Sequence, residues 1–357
     1  MNFDNLQHIK TIDPDGMIDH INAMPDHIAQ TWERAQSLRL PDSFAAIDRI
    51  VICGMGGSAI GGELVSAAIA DTCPVPVAVN RDYTLPAFAQ GRNTLVVACS
   101  HSGGTEETRA AFAEAGARGT QRMVICTGGA LKAEAEAAAV RVWTYDYNSQ
   151  PRAALGFSLA LLLTLMDKLG FTQGMAGQVA EAVDEMRSQG AKFRAETLTS
   201  DNAAKALTEQ LQGHIPAVYG AGMMVPVARR WMTQFNENSK TWAEFAMMPE
   251  LNHNAVVGIE HPEGLAGKVA VVMLRSSYDS KRIAQRFDET RKLLKQRAGI
   301  AVYELWGSGQ SRLAQMLTAL QYGDYVSYYL AIAVKTNPTP VDAIAMLKEN
   351  LSKLAGA

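Results

Sequence analysis

Short apolar, β-branched runs bounded by small or turn-forming residues recur at 50–53, 75–79, 95–99, 123–126 and 140–145. Between them lie stretches of helical period rich in Ala and Glu. Runs of this length alternating with helical segments predict a parallel sheet with helices on both faces. The first forty residues read as helical, broken at Asp13-Pro14 and again at Pro25. An apolar helix at 156–169 closes this first unit, and a long helical stretch at 171–212 reads as a link. A second series follows, with strands expected at 217–219, 269–274 and 301–305. Asn337, Pro338 and Pro340 then precede an amphipathic helix at 341–354. The expectation is two α/β units, each a parallel sheet flanked by helices: 1–170, with a helical segment at 1–45, and 171–357.

Composition narrows the class of protein. A hydrophobic share of 48% can fill ordinary cores, and a net charge of −3 carries no nucleic-acid footprint. No apolar run approaches the roughly 18 residues of a membrane span. The polar, acidic first fifteen residues do not read as a secretory signal. Cys53, Cys73, Cys99 and Cys126 have no metal-like spacing, and three of them sit in apolar runs. A reducing cytoplasm is therefore the expected compartment.

The densest chemistry lies in VICGMGGSAIGGELV, from Val51, and VVACSHSGGTEET, from Val96. Each is an apolar run that ends in small residues and passes into a helical pattern. A helix N-terminus presents free N–H groups and a positive dipole end, which favour an anion. Ser58, Ser100, Ser102 and Thr105 add hydroxyl groups. Two such loops at neighbouring strand ends form one site for a phosphate monoester. The competing reading is a dinucleotide fold, because Gly54, Gly56 and Ala59 approach GxGxxG. That fingerprint also wants an acidic residue about twenty positions on, at the end of the second strand. Asn80 and Arg81 stand there instead, and Asp82 is poorly placed. In the second half, YGAGMMVPVARRWM repeats the outline of the first loop and RSSYDSKRIAQRF that of the second, as a duplication whose second copy has lost its phosphate loop.

Six motifs extend the picture over nearly the whole chain: GMGGSAIGG, SHSGGTEET, NSQPRAALG, FNENSK, PELNHN and PVDAIAMLKENL. In order and spacing they resemble the bifunctional phosphoglucose/phosphomannose isomerase family, which is built from two sugar-isomerase domains. The resemblance implies an aldose–ketose isomerase acting on glucose, mannose and fructose 6-phosphates, in a homodimer with shared sites. It implies Glu237 as the base that moves a proton between C1 and C2, and Arg152 as the enediolate stabiliser. It implies His253, from the neighbouring subunit, and Lys348 as the ring-opening pair. Gly56, Gly57, Ser58, Ser100, Ser102 and Thr105 are the implied substrate and phosphate contacts. The family usually reads Ser-Tyr-Ser-Gly-Asn-Thr in the second loop, where this chain has His101 and Gly104. The residue types suit the chemistry: a weakly acidic α-proton needs a placed carboxylate, and the anion that forms needs a fixed cation. Imidazole can exchange protons near neutrality. With no HExxH and no cysteine–histidine cluster, neither metal nor cofactor is expected. From the residues alone, Glu244 and Glu250 rival Glu237, and His101 reads equally as a ligand contact or a loop-tip residue. A non-catalytic sugar-phosphate regulator, an isomerase of another phosphosugar and a nucleotide-binding oxidoreductase remain alternatives.

Overall fold

A computed structural model describes residues 3–354. Two helices lead in, α1 (Leu6–Ile12) and α2 (Met17–Ala35). The first sheet follows, with β1 (Arg49–Cys53), α3 (Gly56–Ala68), β2 (Val77–Asn80), β3 (Thr94–Ser100), α4 (Glu106–Ala117), β4 (Gln121–Cys126), α5 (Gly129–Ala137) and β5 (Arg141–Thr144). All its pairings are parallel, in the order β2-β1-β3-β4-β5. Three helices, α6 (Leu155–Lys168), α7 (Met175–Phe193) and α8 (Ala203–Leu211), lead to the second sheet. It comprises β6 (Ile215–Ala221), α9 (Val225–Gln234), β7 (Glu244–Met248), β8 (Val269–Arg275), α10 (Lys281–Ala298) and β9 (Ala301–Trp306). Its parallel order, β7-β6-β8-β9, repeats that of the first four strands of the first sheet. Then come α11 (Arg312–Ala333) and α12 (Asp342–Leu354).

The order in which strands are added reverses between β1 and β3, where the first crossover runs one way along the sheet and the second the other. Ligand crevices form at such switch points, outside the carboxyl ends of the strands. β3 is buried along its entire length, which fixes the loop at its end from below.

Several expectations change. Pro25 lies inside α2 rather than ending it. An interior proline costs about 3 kcal/mol in an isolated helix. Here Met24, Pro25 and Ile28 are buried together and α2 packs on α6, so tertiary contact overrides the local penalty. The stretch 171–212 is not one connecting helix. It divides into α7 and α8, and α7 packs against both α2 and α11 as part of the core. The half-exposed edge strand β7 was not foreseen, nor was α11, which is buried on nearly every side. No helix among the described residues is long and apolar enough to cross a membrane. Among the described residues no group of three or more His, Cys, Asp or Glu side chains is placed to hold a metal ion.

Candidate active site

At the end of β1 the chain enters α3 at Gly56, whose φ of +49° favours glycine. A Cβ on Gly57 would stand 3.2 Å from the Pro151 carbonyl oxygen and 3.5 Å from the Arg152 Cα. The missing side chain thus lets the α3 N-terminus sit directly on the 3-10 turn Pro151–Ala154. Arg152 is thereby fixed beside the first loop. Ser58 is half-buried in the opening turn of α3.

Beyond β3, Ser100 is buried, and its hydroxyl pairs with Thr105 Oγ1 at 2.9 Å while accepting the Gly103 N–H at 3.0 Å. Ser100 therefore braces the loop and orients Thr105. Ser102 is exposed and accepts the Gly104 N–H, at 3.2 Å. His101 is half-buried, not a free loop tip. Its Nε2 donates to the Ser149 carbonyl and its Nδ1 accepts from the Tyr145 hydroxyl, both at 3.2 Å. The ring ties the second loop to the segment that carries Arg152. Burial holds its pKa below the ordinary value.

The second half supplies the other wall. α9 runs on into a single π-helical turn, Phe235–Ser239, with Glu237 at its centre. Such turns redirect side chains and often lie at functional sites. Glu237 Oε2 is 3.5 Å from Arg152 Nη1, with 27% of the Glu237 side chain exposed and only 2% of Arg152. Arg152 Nε donates to Asn238 Oδ1 at 2.7 Å, and its Nη2 donates to the carbonyls of Pro338 (2.6 Å) and Thr339 (2.9 Å). Asn238 is in turn held through its Nδ2 to Ser327 Oγ at 3.0 Å. Below them, Arg230 forms a buried, two-pronged pair with Asp324 (3.1 and 3.0 Å) and donates to the Arg152 carbonyl at 2.8 Å. Burial pushes the Asp324 carboxyl above its usual range, against the pull of Arg230.

The fold thus brings Arg152 and Glu237 together from positions 85 residues apart. His253 and Lys348 are not part of this cluster within one chain. His253 is the exposed last residue of a 3-10 turn, Glu250–His253, and Lys348 lies on the exposed α12. Neither bonds to Arg152 or Glu237 among the described residues. Reading the sequence missed Arg230, Asp324, Asn238 and Lys240. Two of these stand inside FNENSK, beside Glu237, and that adjacency was the available signal.

Residues 200–351 match the model for the bacterial phospho-glucose isomerase C-terminal SIS domain. The bifunctional phosphoglucose/phosphomannose isomerase of Caldicellulosiruptor bescii is 40% identical over 341 residues, 95% of this chain and 99% of that protein. The chain belongs to that isomerase family. The enzyme of the same description from Aquifex aeolicus is 35% identical, over 86% of this chain and 91% of its own. Among solved structures, the tagatose-6-phosphate ketose/aldose isomerase of Escherichia coli superposes with a TM-score of 0.70 at 14% identity, covering 91% of this chain and 95% of that one. The C-terminal domain of glucosamine-fructose-6-phosphate aminotransferase from Francisella tularensis gives 0.66 at 17%, covering 92% and 99%. At such identities these two likenesses speak for the fold alone, two parallel sheets flanked by helices.

Proposed function

We propose that this chain is an aldose–ketose isomerase that interconverts glucose 6-phosphate and fructose 6-phosphate, and mannose 6-phosphate and fructose 6-phosphate, through a cis-enediol. The observation that carries this reading is the buried guanidinium of Arg152 held against the partly exposed carboxylate of Glu237, beside two hydroxyl-bearing loops at a sheet switch point. In this reading the phosphate docks on Gly56, Gly57, Ser58, Ser102 and Thr105, with Ser100 as the brace. Glu237 carries the proton between C1 and C2. Arg152, desolvated and immobile, stabilises negative charge where it develops on the enediolate. The short side chain of Thr105 leaves room around C2 for either epimer.

Ring opening falls to Lys348 and to His253 of the partner subunit in a homodimer. Supporting this, His253 is exposed and, among the described residues, bonds to neither Arg152 nor Glu237 of its own chain. In addition, α12 leaves Ile344, Met346, Leu347 and Leu351 43–63% exposed, an apolar face suited to a partner. Residues 1–170 and 171–357 are read as the two sugar-isomerase units, each sheet being drawn from one side of that boundary.

Coupled assays on fructose 6-phosphate and mannose 6-phosphate with EDTA present test the activity. Turnover of both is expected, and turnover of neither contradicts the reading. Mixing Glu237→Gln with His253→Ala protein tests the shared site. Random subunit exchange then restores about a quarter of the sites if the two residues meet across the interface, and none if they do not.

A further inference from the structure

Lys240 closes the π-helical turn that carries Glu237, with a φ of +54°, a left-handed conformation uncommon for a residue with a side chain. Its backbone N–H bonds to the Phe235 carbonyl. Although the residue as a whole is exposed, its ammonium turns inward onto four carbonyl oxygens. Two belong to its own turn, Glu237 (3.0 Å) and Asn238 (3.2 Å). Two belong to the segment leading into α12, Asn337 (2.7 Å) and Pro338 (3.2 Å). The Pro338 carbonyl also accepts from Arg152 Nη2. One ammonium therefore joins the turn bearing the carboxylate to the strap on which the guanidinium rests.

Resting on the isomerase reading above, we infer that Lys240 is a positioning residue, which sets the spacing between Glu237 and Arg152 by clamping the π-helical turn to residues 337–338. It touches no reacting atom in this account. The charged groups facing it are Arg152 from the 3-10 turn, Glu237 from its own turn and Asp342 from the start of α12. Partial burial, with Arg152 nearby, lowers its pKa to about 8, against the pull of Asp342 and Glu237. The clamp is charged below that pH and weakens above it. A neutral amine keeps fewer donors and loses its attraction for the carbonyl dipoles.

The test compares the wild type with Lys240→Met and Lys240→Arg in fructose 6-phosphate turnover from pH 7 to pH 9. Methionine keeps the stem and removes the donors. At pH 7 its kcat is expected to fall about 10- to 100-fold, the scale of an ångström-size misplacement, with KM within about three-fold. The wild type is expected to lose kcat as pH rises past about 8. Lys240→Arg, charged throughout, restores most of kcat at pH 7 and holds it to pH 9. A Lys240→Met kcat within about two-fold of wild type, or an alkaline fall unchanged in Lys240→Arg, overturns the inference. If the methionine variant does not fold, Lys240→Gln is read by the same criteria. Glu237→Gln is assayed alongside. An active wild type, an inactive Glu237→Gln and an active Lys240→Met overturn the role of Lys240 alone, whereas an inactive wild type overturns the isomerase reading and this inference together.

Discussion

The loop from β3 to α4 and the loop from β8 to α10 occupy equivalent places in two sheets of the same strand order, yet they use their hydrogen-bonding groups differently. In the first, Ser102 is exposed, Thr105 is half-buried at the start of α4, and among the described residues no carboxylate is bonded into the turn. In the second, Arg275 stands where Ser100 stands and is drawn into pairs with Asp288 and Glu304. The Ser276 N–H donates to Asp279 Oδ2 at 3.1 Å, and the Ser276 hydroxyl donates to Gln315 Oε1 at 2.8 Å. Gln315 also takes the Ser277 N–H at 3.1 Å and donates to the Ser277 hydroxyl at 2.6 Å. A protein carboxylate and an amide thus hold the groups a phosphate would need. Strand order alone therefore does not make an anion site; the loop that keeps a hydroxyl open to solvent is the better candidate. Gly56 and Gly222 share a φ of +49°, so the strand-end turn is repeated although the chemistry around it is not.

If only the first switch point reacts, its base has no substitute elsewhere in the chain. Glu237→Gln should then lower kcat about 10²- to 10⁴-fold with little change in KM. More than a tenth of wild-type kcat retained would move the base to Glu250 or to the second loop.

A smaller effect separates the loops directly. Replacing Ser100 and Ser102 together by Ala should raise KM about ten-fold, because in the proposed reading Ser102 contacts, and Ser100 orients Thr105 toward, a phosphate that does not itself react. Replacing Ser276 and Ser277 should leave KM unchanged and cost about 1–3 kcal/mol of stability, since Gln315 loses its two hydroxyl partners. Equal KM changes in the two variants, measured by steady-state kinetics with parallel melts, would erase the distinction.

The smallest effect is electrostatic. Burial lowers the pKa of His101 below its ordinary 6.5, and that of His27 likewise, with His20 adding to the second. Below about 6.5 the unfolded chain binds more protons than the folded one, so stability should fall as pH drops. Glutamine at 101 can donate to Ser149 and accept from Tyr145 without titrating. His101→Gln should therefore lose less melting temperature between pH 7 and pH 5 than the wild type, and an equal loss would deny His101 that role.

What was legible in the sequence follows the same division. The glycine–serine loops and most strands could be read because their signals are local: β-branched runs, small residues, then helical period. The edge strand β7 could not, since EFAMM leaves Met247 48% exposed and shows neither clean alternation nor a buried run. Nor could the π-helical turn, whose extra residue has no period of its own. Arg230, Asp324 and Asn238 owe their places to contacts across 78 to 94 residues. Arg152 and Glu237 were identified by likeness of motif; their proximity comes from the packing of α3 on the 3-10 turn and of α9 on α3.

The central claim is that Glu237 moves a proton rather than that a hydride shifts within the sugar. Its most direct test is to let the wild type and Glu237→Gln interconvert fructose 6-phosphate and its aldoses in D₂O, with EDTA present, and to read C2 of the aldose by NMR. A proton held by a partly exposed carboxylate exchanges with solvent, so deuterium should build up at C2 over repeated turnovers with the wild type and not with the variant. Full equilibration by the wild type with no deuterium at C2, or undiminished incorporation by Glu237→Gln, would contradict the account.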